Sequence, residues 1–336
     1  MLDTDIARRI WVTRYLMVIG IVVLHVPPYE SLGELGLSAF DLIKAFFSHA
    51  VFRTTVPVLT ALSGYLLFRS ALYEKPLLLL KKKTKSVLVP LVLWNVPVVL
   101  AIFLVQKHQL VDHAFSARLY PFELMPWVNA LTGLFEAPAN YPLNFLRDLF
   151  VLSLLSPLLW PLLKYIPYSG LMLLSAVYFY DLDGDLVLRN SMIISFYTGA
   201  LAAARRWNLT ALDRFAWPLL TLFLLCCLAI VLFDIQNREF LRLLAPFLVW
   251  PALSPLMRTR AADILYRHSQ SSFLTFLAHG PLLLACWLVF SRLPVQLPES
   301  LFWFVAPVIV VVSCALVAPL SRLGMPRVMY VLLGGR

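Results

Sequence analysis

The feature that most constrains this chain is a series of apolar stretches of roughly 17 to 25 residues separated by short polar runs, the length a helix needs to cross about 30 Å of hydrocarbon. Hydrophobic residues make up 61% of the chain and charged residues 14%, and the mean hydropathy is +0.82. A soluble domain of 336 residues could not hide that much apolar surface in one core. The pattern predicts an all-α, polytopic transmembrane bundle forming a single membrane-embedded domain over residues 1–336, and excludes a single soluble domain. The 23 prolines fit near segment ends or at kinks that neighbouring helices satisfy.

About ten spans are expected, at 10–26, 42–68, 87–105, 142–164, 168–180, 190–204, 215–233, 240–257, 272–290 and 301–320. The first runs from Trp11 to Val26 without a small-residue cleavage site and reads as a mature helix. With Arg8 and Arg9 on the cytoplasmic side, the alternation puts eighteen basic residues inside, among them Arg69, Lys75, Lys81, Lys82, Lys83, Lys85, Arg267, Arg322 and Arg336. Six fall outside: Lys107, Arg118, Arg189, Arg238, Arg242 and Arg292, accompanied by acidic residues such as Glu30, Glu34, Asp181, Asp183 and Asp185. This asymmetry predicts that both termini are cytoplasmic. It also accounts for the net charge of +10 without nucleic acid, because the basic residues are spread over several loops. The external connection from Gln106 to Tyr141 has the composition of an interfacial segment or a cavity cover. Cys226, Cys227, Cys286 and Cys314 all lie in apolar stretches without metal-type spacing, so no metal site is expected.

Ionisable side chains at membrane depth are costly unless they face a cavity or a partner, which makes them functional candidates. They are Arg14 and His25 on the first span, His49 and Arg53 on the second, Arg147 and Asp148 on the fourth, and His279 on the ninth. Eleven residues at 100° each return to within about 20° of the same face, so Arg14 and His25 should line one groove, roughly 16 Å apart. Arg14 then sits near the cytoplasmic end and His25 near the external end. His49 and Arg53, at i and i+4, should share a face in the external half. Arg147 and Asp148 read either as part of that site or as snorkelling residues at a helix end. His279, at about mid-depth, reads as a hydrogen-bonded interhelical histidine or as a second catalytic group. A neutral imidazole can take a proton from a hydroxyl and return it, which makes His25 the candidate general base. The basic run at Lys81–Lys85 reads as a cytoplasmic loop that marks orientation and could also meet a phosphate.

Several motifs in order resemble the membrane acyltransferase 3 family, bacterial enzymes that O-acylate surface glycans. They are Arg-x10-His in RYLMVIGIVVLH, FRTTVPVLTALSGYLLF at 52–68, KKKTKSVLVPLVLWN at 81–95, and the later stretches PLNFLRDLFVLSLLSPLL and SFLTFLAHGPLLL. The resemblance covers nearly the whole chain. It implies transfer of an acetyl, succinyl or longer acyl group from acyl-CoA, a donor substrate and not a tightly bound cofactor, to a glycan hydroxyl.

Carried over, the motif histidine His25 is catalytic and the motif arginine Arg14 supports the donor or the active site. Arg53 or His279 is expected to stabilise the oxyanion, and Lys82, Lys85 and Arg14 to meet the phosphates of CoA. Many relatives have Arg-x-x-Arg where this chain has Lys82 and Lys85, which bind phosphate as point charges and not bidentately. The fused esterase-like domain of some relatives is not expected here. The implied partners are acyl-CoA, a glycan or lipid-linked oligosaccharide acceptor and membrane lipid, and the implied location is the bacterial inner membrane. A second class of function is a transporter or flippase for a lipid-linked sugar, in which the same residues would bind substrate or couple protons.

Overall fold

The computed structural model describes residues 3–110, 117–180, 182, 184 and 186–335, without the side chains of Ser321 and Arg322. Asp181, Asp183, Asp185 and Arg336, counted above in the charge pattern, lie outside the described residues, as does the side chain of Arg322. Fifteen α-helices occur among the described residues, with short 3-10 and π turns and no strand. The first eight are α1 (Thr4–Leu24), α2 (Ala39–Lys44), α3 (Thr55–Arg69), α4 (Pro76–Lys83), α5 (Val89–Lys107), α6 (Leu124–Thr132), α7 (Asn144–Tyr165) and α8 (Pro167–Phe179). They are followed by α9 (Ser191–Ala204), α10 (Ala216–Leu232), α11 (Glu239–Ala252), α12 (Arg260–His268), α13 (Ser272–Phe290), α14 (Glu299–Gly324) and α15 (Pro326–Leu332).

The starts of these helices carry local signals. Asp3 accepts the amide of Asp5 ahead of α1, Ser38 and Asp41 form a reciprocal capping box at α2, and Pro76, Pro167 and Pro326 open α4, α8 and α15, where a missing N–H costs nothing.

Seven continuous helical stretches are long and apolar enough to cross a membrane: Ala39–Arg69, Pro76–Lys107, Tyr141–Tyr165, Asp213–Leu232, Glu239–Arg258, Arg260–Phe290 and Glu299–Leu320. Helix α1 is long enough but carries Asp5, Arg8, Arg9 and Arg14, while α8 and α9 are shorter, at 13 and 14 residues.

Two expectations about local structure are corrected. Lys81, Lys82 and Lys83 belong to α4, and Lys85 to the π turn that joins it to α5, so the basic run is helical and not a loop. Lysine is a good helix former, and Leu79 of α4 is buried while Leu77, Leu78 and Leu80 are exposed. The second expected span is not one regular helix. A π turn at Ala45–Ala50 and a 3-10 turn at Val51–Thr54 interrupt it between α2 and α3, so His49 and Arg53 fall on two different turns and not on one regular α-helix.

The centre of the bundle is α9, thirteen of whose fourteen residues are buried. It packs backbone to backbone on α3: a Cβ at Gly199 would stand 1.8 Å from the carbonyl oxygen of Ala61, and one at Gly64 2.1 Å from that of Phe196. Small residues permit this approach, the usual means of packing helices where lipid offers no hydrophobic drive. Polar ties hold the two ends of the bundle. At one end Arg8 meets Asp263 at 2.7 Å and Arg9 meets Asp213 at 2.9 Å. At the other, Lys44 is clamped between Glu30 and Glu299, both at 2.6 Å.

The connection after α5 folds on its own small core of Val99, Ile102, Leu119 and Ala130. Gln106 accepts the amides of Leu119 and Tyr120, and Tyr120, Phe122, Leu124 and Met125 remain exposed, as suits an interfacial segment.

Candidate active site

Helix α1 ends at Leu24, and His25 is its C-terminal cap. The ring of His25 lies 5.2 Å from that of His279, centroid to centroid. Nδ1 of His279 is 2.7 Å from the carbonyl oxygen of Phe276, and Nδ1 of His25 is 2.9 Å from that of Ile21. Carbonyls only accept, so the network assigns the proton to Nδ1 of both rings. Nε2 of His279 is thereby left as a lone pair, and it stands 3.3 Å from Nδ1 of His25. That N–H is shared between a carbonyl and an imidazole, which orients the His25 ring and stabilises it when it takes up a proton. Nε2 of His25 has no protein hydrogen-bond partner among the described residues, so its lone pair is available to a substrate. His279 is 0% exposed and sits behind His25, out of the cavity that His25 faces.

That cavity, of about 770 Å³, is lined by His25 and Arg53 together with Tyr141, Arg189 and the Glu239–Arg242 pair. Nη2 of Arg53 donates to the hydroxyl of Tyr29 at 2.7 Å and its Nε to the carbonyl of Ser48 at 3.1 Å. These bonds hold the guanidinium while leaving donors over. Tyr141 meets the His25 ring edge-on at 6.2 Å and lies 5.9 Å beneath the Arg189 guanidinium. Tyr178 and Arg242 both hydrogen-bond Glu239.

Arg14 lines a second and larger cavity of about 1270 Å³, with Trp11, Ser63, Tyr266, Arg267 and Gln270 among its neighbours. Its guanidinium is 5.8 Å from the Trp11 ring. The expectation of one groove from Arg14 to His25 is therefore corrected: the two residues belong to separate cavities. Phe145 on α7 and Phe276 on α13 stand between them and line both.

The other sequence candidates fall in varied places. His49 is buried and does not line the His25 cavity, with Nδ1 3.4 Å from Nη1 of Arg238 and its ring 5.9 Å from Tyr29. It meets the same tyrosine, Tyr29, as Arg53 does. Arg147 and Asp148 do not snorkel, and they line neither the His25 cavity nor the Arg14 cavity. They pair at 3.0 Å in the interior, where Arg147 also binds the carbonyls of Gly133 and Leu134 and Asp148 accepts the amides of Leu188 and Arg189. The pair staples two connecting segments to α7 and sets the backbone from which Arg189 reaches the cavity.

Lys82 is exposed and does not line the Arg14 cavity. Lys85 donates to the Tyr330 hydroxyl at 2.7 Å, close to that cavity's rim, since Gly334 packs on its backbone and the neighbouring Leu333 is a lining residue.

Three features were not singled out in the sequence. Arg189 and Arg267 carried only the ordinary signal of loop charge. Lys44, within an apolar stretch, carries its signal in that position alone. No cluster of three or more His, Cys, Asp or Glu side chains able to hold a metal is found among the described residues.

A family model described as an acyltransferase domain, that of acyltransferase 3, matches residues 9–322. The chain is 33% identical to the succinoglycan biosynthesis protein ExoH of Rhizobium meliloti (strain 1021), over 100% of this chain and 94% of that protein. No solved structure matches. The transporter alternative thus gives way to an enzyme that transfers acyl groups other than amino-acyl groups, and the chain belongs to the membrane acyltransferase 3 family.

Proposed function

We propose that this protein is a multi-pass enzyme of the bacterial inner membrane that moves an acyl group of the acetyl or succinyl type from acyl-CoA to a hydroxyl of an exported glycan or its lipid-linked precursor. One domain carries the reaction, with about ten spans, α1, α8 and α9 counted beside the seven long stretches, and with both termini cytoplasmic. The end-to-end ties support that orientation. Arg8–Asp263 and Arg9–Asp213 join segments that the charge pattern assigns to the cytoplasm, and Lys44 joins Glu30 and Glu299, assigned to the outside. The glycan acceptor is supported by the name of the related protein, which ties it to succinoglycan biosynthesis.

The observation that carries the reading is the hydrogen-bonded tautomer of His25, whose unpartnered Nε2 belongs to a side chain lining the outer cavity beside Arg53. Acyl-CoA enters from the Arg14 side. Its phosphates meet Arg14 and Arg267, with Lys82 and Lys85 adding positive charge at or near the rim, and its pantetheine arm covers the roughly 16 Å to His25. Nε2 of His25 takes the proton from the acceptor hydroxyl as its oxygen attacks the thioester carbonyl carbon. Arg53 stabilises the oxyanion that forms. The C–S bond then breaks, and the imidazolium returns its proton to the CoA thiolate. His279 acts through His25 as a positioning residue.

The test is thiol release from a series of acyl-CoA donors by the purified protein, with and without acceptor glycan. Acceptor-dependent release that disappears in His25→Ala is the expected result. Wild-type transfer by that variant would remove His25 from the role of base.

A further inference from the structure

The two cavities meet at a single place. Among the described residues, Phe145 and Phe276 alone line both. Phe145 is the second residue of α7 and Phe276 lies in the second turn of α13. Their rings meet edge-to-face, 5.6 Å apart at 68°, and the residues are 6% and 4% exposed. Phe276 is also tied to the reaction centre. Its ring is 5.8 Å from the His279 ring, and its carbonyl receives the Nδ1 proton of His279. The contact thus lies where the two cavities adjoin, next to the group that orients the base.

We propose that Phe145 and Phe276 form a partition that the acyl donor's slender arm must part, and that they set the ratio of acyl transfer to thioester hydrolysis by keeping water of the inner cavity from the carbonyl at His25. This rests on the proposed entry of the donor from the Arg14 side. An edge-to-face aromatic contact is weak and made by side chains alone, so an unbranched chain of methylene and amide groups can displace it by rotamer change. While the arm occupies the opening, the rings close around it. Water that reached the thioester would use the same base. Its oxygen would bond to the carbonyl carbon, its proton would pass through Nε2 of His25 to the departing sulfur, and the C–S bond would break to give a free acid and CoA. Hydrolysis and transfer thus differ only in which hydroxyl reaches the carbonyl.

The experiment uses the full chain with Phe145→Ala and Phe276→Ala, the second of which keeps the carbonyl that holds His279. Thiol release is measured with and without acceptor, alongside thermal unfolding. The ratio of acceptor-independent to acceptor-dependent release should rise severalfold in each variant, and Phe145→Trp should slow transfer without raising hydrolysis. An unchanged ratio in variants that unfold at the wild-type temperature would overturn the partition.

A second measurement does not depend on the reaction. Ser63 lines only the inner cavity. In sealed vesicles, a charged, membrane-impermeant maleimide is applied to the face that carries Tyr29. It should modify Ser63→Cys above the background of the four native cysteines only when Phe145 or Phe276 is also changed to alanine. Equal labelling with the pair intact would refute the partition whatever the enzyme's substrates prove to be, and loss of acyl transfer alone would count against the functional reading instead.

Discussion

Nε2 of His279 faces Nδ1 of His25 at 3.3 Å, across 254 residues of sequence, and with the Ile21 carbonyl it fixes which nitrogen of His25 is free for chemistry. With the Nδ1 proton of His25 held by Ile21 and His279, the lone pair on Nε2 is the only one the ring can offer.

Removing the second histidine should therefore slow the enzyme without abolishing substrate binding. His279→Ala is expected to lower kcat by about ten- to a hundredfold with little change in the KM for acyl-CoA, and His25→Ala by about 10²- to 10⁴-fold. His279→Gln, whose side-chain carbonyl can accept the same proton, should recover part of the loss. Because the base acts unprotonated, wild-type kcat should fall on acidification. Steady-state kinetics on the four proteins across a pH series check all of this.

Donor affinity should depend on Arg14 more than on the lysines of α4 and the following turn. A charge-assisted hydrogen bond is worth about 1.5–3 kcal/mol, so Arg14→Ala should weaken acyl-CoA binding by about ten- to a hundredfold. Lys82→Ala with Lys85→Ala should have a smaller effect, since Lys82 stands outside the cavity lining and Lys85 is engaged with Tyr330. Thermal stabilisation by acyl-CoA, which reports binding to the folded state, compares the three proteins. A larger loss in the lysine variant would move the phosphate site to α4.

The Arg147–Asp148 pair should act as a structural unit. Asp148 is 0% exposed, and truncation of one partner in the interior strands the other charge at a cost of about 3–5 kcal/mol. Arg147→Ala and Asp148→Ala should each lower the unfolding temperature markedly. A double variant, Arg147→Met with Asp148→Leu, should lose less than the sum of the two. Additive losses in the thermal melts would mean that the two charges are not coupled.

The contact of α3 with α9 should tolerate no added side chain. The backbone carbonyl of Ala61 would stand 1.8 Å from a Cβ at Gly199, so Gly199→Ala forces the helices apart, an overpacking that typically costs about 1–3 kcal/mol. Gly184→Ala, in open space but at φ +60°, should affect stability only through its own backbone. Denaturation in detergent separates the two.

Much of the helical plan is legible in the residues because helices follow from short-range patterns. Each expected apolar segment contains helix, and Arg14 and His25 lie on α1 or at its cap. Where the pattern misled, the cause was local. Nothing in the run Lys81–Lys85 shows that the helix begun at Pro76 continues through it, and nothing in Ala45–Thr54 announces a π turn followed by a 3-10 turn. The roles of Arg147 and His49 were open for another reason. Gly133 and Leu134, which Arg147 meets, belong to the preceding connection, and Arg238, which His49 meets, to a distant one.

The sequence by itself determined the solvent, since an apolar excess of this size requires lipid, and it determined Arg14 and His25 of the first span together with the family motif that contains them. Only the tertiary structure decided that Arg14 and His25 open into different cavities, that two phenylalanines stand between those cavities, and that His279 holds the ring of His25 from behind. The reason is physical: spacing along one helix specifies direction and distance on that helix, whereas a cavity, a partition or a tautomer is made where α1, α7 and α13 meet.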